Sequence, residues 1–222
     1  MITSLPPGLI MFLGSFLIPF FPYFTRQIYM ILLILFSAFS LTAGHGTHLV
    51  INSMGIDFII FHSDSLSFPF AIVFHIAAFL TVIYGMHNRD WRENVAITSY
   101  AGAAIAALHA GDLFTLFVWW EATALTSVFL ILGGKSLRSY KSAIRYIIIQ
   151  VGSGMLLLSG AIIIFHSNNE ALFQNFSIQS TSGLLIFLAF GIKAAFPFLN
   201  GWLQDSYPEA SEVGTVALSA FT

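Results

Sequence analysis

Two residues in this chain have the types and positions to move a proton through an apolar environment. Glu121 is the ninth residue of an apolar stretch that begins at Leu113. Lys193 lies within Leu184-Leu185-Ile186-Phe187-Leu188-Ala189-Phe190-Gly191-Ile192-Lys193-Ala194-Ala195-Phe196. A charged side chain at the centre of a membrane helix costs about 2.5–3.5 kcal/mol on insertion scales, so such residues face a partner or a water-filled cavity and mark ion pathways. Opposite charges inside one bundle lower each other's cost. Burial favours the neutral amine and a nearby carboxylate favours the ammonium, so a lysine balanced between them can load and release a proton. The plainer reading of the same residues is a static ion pair that pins their two segments together.

Pro197 follows Lys193 by four residues. Proline lacks the N–H that would bond the Lys193 carbonyl, so a helix break beside a buried amine is expected. Breaks of this kind line ion sites in transporters, although a proline near a helix end often only kinks it. His75, His109, Asp112 and Arg145 extend a candidate proton path. His75 could equally be a hydrogen-bonded packing histidine, and His109 and Asp112 an interfacial hydrogen-bonded pair. Arg145, Gln150 and Ser153 follow one another and could supply a polar stripe, whereas Trp119 and Trp120 read as packing residues. Gly102, Ala106 and Ala110 repeat every four residues, the mark of a close-packing helix face. The spacing of His, Asp and Glu offers no metal site. No Gly-rich phosphate loop and no nucleophile–base pair is present, so no cofactor and no metal is expected.

The elements that carry these residues follow from composition. Of 222 residues, 57% are hydrophobic and 8% charged, 24 are Phe, and the mean hydropathy is +0.86. A soluble domain carries about 25% charged residues, so this surface is solvated by lipid. The net charge of -2 leaves no electrostatic footprint for nucleic acid. With no Cys there are no disulfides, thiolate metal sites or cysteine nucleophiles.

Membrane helices need about 20 apolar residues each. Candidate spans run over 7–24, 28–43, 68–86, 95–110, 113–132, 143–165 and 183–199, and an eighth begins at Val213. The expected fold is therefore an all-α integral membrane protein of about seven complete transmembrane helices plus the start of an eighth. No Lys or Arg precedes the first apolar run, so it reads as a retained helix rather than a signal peptide. Gly111-Asp112 is a tight turn between antiparallel helices four and five.

Seven basic residues, Arg26, Arg89, Arg92, Lys135, Arg138, Lys141 and Arg145, fall in or beside odd-to-even loops. The other loops, 44–67, 111–112 and 166–182, hold none. The positive-inside rule then places the N-terminus outside, in a multi-pass protein of the cell's inner (plasma) membrane. Within 44–67, the apolar-rich runs 48–52 and 56–61 flank Ser53-Met54-Gly55 and predict a small β-hairpin, about 48–61, on the outer face. Two regions follow: 1–110, with helices one to four and the hairpin, and 111–222, with helix five to the start of eight.

Two segments also resemble a known family. Ala110-Gly111-Asp112-Leu113-Phe114-Thr115-Leu116-Phe117-Val118-Trp119-Trp120-Glu121 is similar to the opening of the antiporter-like proton-translocating domain. The multi-subunit Na+/H+ (Mrp) antiporters, the large membrane subunits of respiratory complex I and membrane-bound hydrogenases share that domain. The run from Gly191 through Lys193, Pro197, Trp202 and Asp205 to Ala210 resembles its second signature, with Asn200 where His is usual and Gln204 where Pro is usual. The ending Glu212-Val213-Gly214-Thr215-Val216-Ala217-Leu218-Ser219-Ala220-Phe221-Thr222 looks most like the D-type component of the Mrp antiporters.

The resemblance implies that Glu121 tunes the proton affinity of Lys193, and that Lys193 relays protons across half the membrane. It implies a fold of inverted repeats, of which this chain holds the first. Family members are about twice this length, so 111–222 is expected to be a truncated domain. The implied partners are other membrane subunits of an antiporter or respiratory complex, with protons and Na+ as cargo and the lipid bilayer as surroundings. The reading is a transporter subunit rather than an enzyme: a D-type component of a multi-subunit cation/proton (Na+/H+) antiporter. The alternatives are a non-catalytic membrane-arm subunit of NADH-quinone oxidoreductase and a non-conducting structural remnant.

Overall fold

The computed structural model describes residues 5–53 and 55–221. Met54, at the expected hairpin turn, and Thr222, in the final apolar run, lie outside the described residues. The helices are α1 (Pro7–Ser15), α2 (Tyr23–Phe39), α3 (Ser67–Tyr84), α4 (Trp91–Leu108), α5 (Leu113–Leu132), α6 (Leu137–Asn168), α7 (Thr181–Lys193), α8 (Gly201–Ser206) and α9 (Glu212–Phe221). Strands β1 (Gly46–Ser53) and β2 (Ile56–Ser63) pair antiparallel, from Ser53 opposite Ile56 to Gly46 opposite Ser63.

Among the described residues, four helices are long and apolar enough to cross a membrane: Tyr23–Thr42, Ser67–His87, Leu113–Leu132 and Leu137–Asn168. The expected single span over 7–24 is divided. Its helix stops at Ser15, and a separate 3-10 turn, Ile18–Phe20, carries Pro19 before Pro22 starts the next element. Proline removes a helical donor and clashes with the preceding turn, so two of them cut a continuous helix. The fourth candidate is a helix, but an alanine-rich one, and every residue from Ala96 to Ala106 is buried. It is solvated by protein rather than lipid. A Cβ at Gly8 of α1 would run into the Ala106 backbone nitrogen, and one at Gly102 would lie 2.6 Å from the Phe12 nitrogen. The small-residue face thus lets two backbones touch.

Side-chain caps set several boundaries, each satisfying a donor left free at a helix start. Asp90 accepts from the Arg92 amide, Ser136 from the Ser139 amide and Ser180 from the Gly183 amide. Asp90 also pairs with Lys135 at 3.0 Å. Burial opposes its ionisation, but the Lys135 bond and charge and the Arg92 amide hold its carboxyl below the ordinary value.

The bundle has two chemically distinct ends. At one, Arg26 reaches the Arg89 carbonyl, Arg138 pairs with Glu209 and Arg145 with Asp205. At the other, β2 is stitched to the α4–α5 turn: the His62 amide bonds the His109 carbonyl, and the Gly111 amide bonds the Ile59 carbonyl, both at 2.9 Å.

Candidate functional site

The site is built where α5, α6 and α7 meet. From α5 come Trp120, Glu121 and Thr123 in one turn, with Trp120 and Thr123 buried and Glu121 half-buried. From α7 comes Lys193, its last residue, also half-buried. The ammonium nitrogen donates to Thr123 Oγ1 at 3.0 Å and stands 5.1 Å from the centre of the Trp120 ring. Thr123 spends its own hydrogen on the Trp120 carbonyl, 2.7 Å away, so its oxygen is left to accept from Lys193. A cation over an indole face gains about 0.5–2 kcal/mol, more as water is excluded. An ammonium has three hydrogens and no acceptor.

Glu121 points across to α6. Its Oε1 is buried, accepts no hydrogen bond from any described residue, and rests against the bare backbone of Gly154. One turn earlier on α6, Gln150 is fully buried and neither atom of its amide has a partner among the described residues. Between them, Ser153 accepts from the Trp120 indole N–H at 3.1 Å and donates to the Gln150 carbonyl at 2.7 Å. One turn beyond Thr123, Ser127 and the Tyr146 hydroxyl are 2.8 Å apart and buried. Polar atoms therefore line the α5–α6 seam through an otherwise apolar core, and among the unpaired ones the Glu121 carboxylate oxygen can accept a proton while the Gln150 amide can only hydrogen-bond. Glu121 and Lys193 flank the same turn of α5 without touching. The ion pairs within 4.0 Å among the described residues are Lys135–Asp90, Arg138–Glu209 and Arg145–Asp205. A static salt bridge between α5 and α7 is thus not what holds these two charges.

The break at Pro197 differs from the expected one. Lys193 is not in mid-helix, and the helix does not kink and continue. It ends at Lys193, with the Phe196 amide bonded to the Gly191 carbonyl at 2.9 Å and the Ala195 amide to the Ile192 carbonyl at 3.1 Å. This is a Schellman closure with Ala195 in the left-handed region at φ 52°. Pro197 sits just past it, where it disfavours helical backbone at Phe196 and cannot restart the helix. The Ile192 carbonyl also accepts the Trp202 indole N–H at 2.9 Å, which ties α8 back to the helix end. The amine is therefore presented from a helix terminus.

The remaining candidates occupy other places. His75 is buried between helices. Its Nδ1 lies 2.7 Å from the Ala71 carbonyl and its Nε2 lies 2.9 Å from Ser37 Oγ, which donates to the Pro7 carbonyl at 2.7 Å. It joins α3, α2 and α1. His109 and Asp112 are both buried at the hairpin end, with no hydrogen bond between their side chains. Asp112 Oδ1 accepts from the Phe114 and Thr115 amides, both at 2.9 Å. Its Oδ2 accepts from the Ile59 amide at 2.7 Å and the Thr115 hydroxyl at 2.6 Å. That fills the four acceptor positions of a carboxylate. Arg145 is half-exposed and its Nε donates to Asp205 at 2.6 Å, so it anchors the α8 segment to α6 rather than joining Gln150 and Ser153. Trp120, a packing residue by sequence, lies against Lys193, and Thr123 and Gly154, which sequence reasoning passes over, touch Lys193 and Glu121 respectively. Thr123 and Trp120 carried a signal, being two residues after and one before Glu121. Gly154 carried none.

Residues 110–222 match the family model described as NADH:quinone oxidoreductase/Mrp antiporter, TM. NAD(P)H-quinone oxidoreductase chain 4 of Prochlorococcus marinus (strain MIT 9515) is 34% identical over 125 residues, covering 50% of this chain and 22% of that one. The putative antiporter subunit mnhD2 of Staphylococcus haemolyticus is 26% identical over 162 residues, covering 66% of this chain and 32% of that one. The matches take in less than two thirds of either relative. The Mrp complex from Dietzia sp. DQ12-45-1b contains a chain of the same fold, with a TM-score of 0.80 at 18% identity, covering 96% of this chain and 26% of that one.

Proposed function

This chain belongs to the NADH:quinone oxidoreductase/Mrp antiporter transmembrane family, and from that premise we propose that it is a proton-translocating, D-type membrane component of a multi-subunit cation/proton antiporter. The observation that carries the proposal is the seam itself. A buried, unpaired carboxylate oxygen of Glu121 and an amine at a broken helix end lie on opposite sides of one turn of α5. Lys193 holds the proton as an ammonium and releases it to an acceptor in the seam. Glu121 supplies the negative charge that favours reloading. Thr123 and Trp120 fix the amine's position, and Gln150 and Ser153 provide the polar wall along which the proton passes. Protons and Na+ are the cargo, and the partners are further membrane subunits.

Helices α1, α4, α7 and α9 join the four apolar membrane-length ones in a bundle of seven spans and the start of an eighth. The basic end faces the cytoplasm, and the hairpin and the N-terminus face outside, in the plasma membrane. One observation favours a second reading. The Prochlorococcus relative is a quinone oxidoreductase chain, so a proton-translocating role in a quinone-reducing complex stands as the alternative.

The test is cation-dependent proton exchange in vesicles carrying the complete assembled complex. Glu121→Gln is expected to slow exchange about tenfold, the effect of ~1.4 kcal/mol on a barrier, with insertion unchanged. Exchange at the wild-type rate would remove Glu121 from the mechanism. Gly154→Ala tests the geometry separately. A Cβ there would overlap Glu121 Oε1, so the end of the flexible carboxylate must swing away. Exchange should fall while thermal stability changes by less than about 1 kcal/mol, because the displaced group is mobile rather than backbone. A stability loss with normal exchange would sink this account of the contact. A complex that inserts and assembles but never exchanges protons would support a non-conducting structural role instead.

A further inference from the structure

The basic side chains at the lower-numbered loops differ from Lys135, Arg138 and Arg145. Lys135, Arg138 and Arg145 each have a carboxylate within 3.2 Å. Among the described residues, Arg26, Arg89 and Arg92 have none within 4.0 Å, and on α6 neither has Lys141. The nearby acids make their hydrogen bonds elsewhere, although the Arg92 charge is also felt at the Asp90 carboxyl. Asp90 holds Lys135 and the Arg92 amide, and Glu93 accepts from the Asn88 amide group and the Ser211 hydroxyl.

The three guanidinium groups are also arranged. That of Arg89 stands 5.5 Å from the centre of the Tyr23 ring, and that of Arg92 stands 5.5 Å from the centre of the Trp91 ring. A guanidinium stacked on a ring keeps its N–H edge free for a phosphate fork. Arg26 braces the loop from below. It is only 8% exposed, and it donates to the Arg89 carbonyl at 3.1 Å and the Phe21 carbonyl at 3.2 Å. Its Nε is buried with no partner among the described residues. A buried cation without a counter-charge is costly, and an anion nearby lowers that cost.

The flanking surface is apolar and open: Phe24 is 81% exposed, Ile28 59% and Tyr84 50%. Tyr23, Tyr84 and Trp91 on this surface have the composition of an interfacial aromatic belt. We propose that Arg89 and Arg92, braced by Arg26, bind the phosphodiester headgroup of an anionic phospholipid, whose acyl chains lie along Phe24, Ile28 and Tyr84. Charge and surface together select the lipid. Free phosphate would use the guanidinium edges but leave the apolar face unmatched.

Native mass spectrometry of the full chain from nanodiscs of mixed phosphatidylglycerol and phosphatidylcholine tests this. The expected result is about tenfold preferential retention of phosphatidylglycerol. R89Q/R92Q should lose it, while R138Q, whose guanidinium already holds Glu209, should keep it. Equal retention by R89Q/R92Q overturns the site. An equal loss in R138Q overturns it in favour of a diffuse basic surface, and displacement by millimolar inorganic phosphate overturns the choice of lipid. If R89Q/R92Q fails to insert, R89K/R92K keeps the charge but loses the planar fork. It should insert and show reduced preference, and unchanged preference there counts against the site.

Discussion

Lys193→Ala is expected to abolish cation-dependent proton exchange in vesicles carrying the complete complex, while insertion and assembly persist. The two halves of that expectation have different physical origins. Exchange should be lost because the ammonium is the one group in the seam that can hold a transferable proton as a cation, and positioned proton donors contribute about 10²–10⁴-fold to rates. Assembly should persist because the helix end does not depend on the side chain. The closure at Gly191, Ile192, Ala195 and Phe196 is made by backbone atoms, and alanine is compatible with it. What disappears is one hydrogen bond to Thr123 and the contact with Trp120. Lys193→Arg separates charge from proton release, since a guanidinium is not deprotonated in proteins. It should insert well and fail to exchange. Wild-type exchange in Lys193→Arg would mean that a fixed charge suffices, and exchange within about twofold of wild type in Lys193→Ala, far short of the loss a positioned donor should cause, would discard the relay altogether.

Asp112→Ala should be the most destabilising single change among the sequence-predicted polar residues, by about 3 kcal/mol. Loss of a helix N-cap costs about 1 kcal/mol, and a buried amide left without a partner costs about 1–3 kcal/mol. Both losses occur here, because one carboxylate caps α5 and holds the Ile59 amide of β2. The hairpin should loosen first, so hydrogen exchange at Ile59 should accelerate before the helices unfold. A thermal scan showing a loss below about 0.5 kcal/mol, the scatter of neutral surface changes, would show that neighbouring contacts hold the hairpin without it. The pair of predictions divides the sequence-selected residues by role. Lys193 should matter for exchange and little for stability, and Asp112 the reverse.

Much of this was legible before the structure. Composition placed the chain in lipid, and the basic residues gather at one end of the bundle, opposite the hairpin. Single residues were less legible when their meaning depended on a distant neighbour. His75 and Arg145 looked alike as polar residues in or beside apolar segments. One proved to be a buried joint between three helices, and the other an exposed anchor for Asp205. Trp120 shared its type with Trp119 and was set apart only by standing next to Glu121. Only the fold sets Trp119 against Phe12, at 5.5 Å, and Trp120 beneath Lys193.

The sequence by itself determined the solvent of this protein, the two charges worth examining and the presence of a break after Lys193. Those follow from local facts: transfer cost per residue, periodic apolar runs, and a proline that cannot donate. Only the tertiary structure decided that the break is a termination, that Glu121 faces Gly154 rather than Lys193, and that Asp112 is saturated. Each of those depends on which residue, 33 or more positions away in some cases, fills the remaining hydrogen-bond or packing position. The apolar character of a segment can be read from its own residues, but a buried polar atom acquires a role only from its partner.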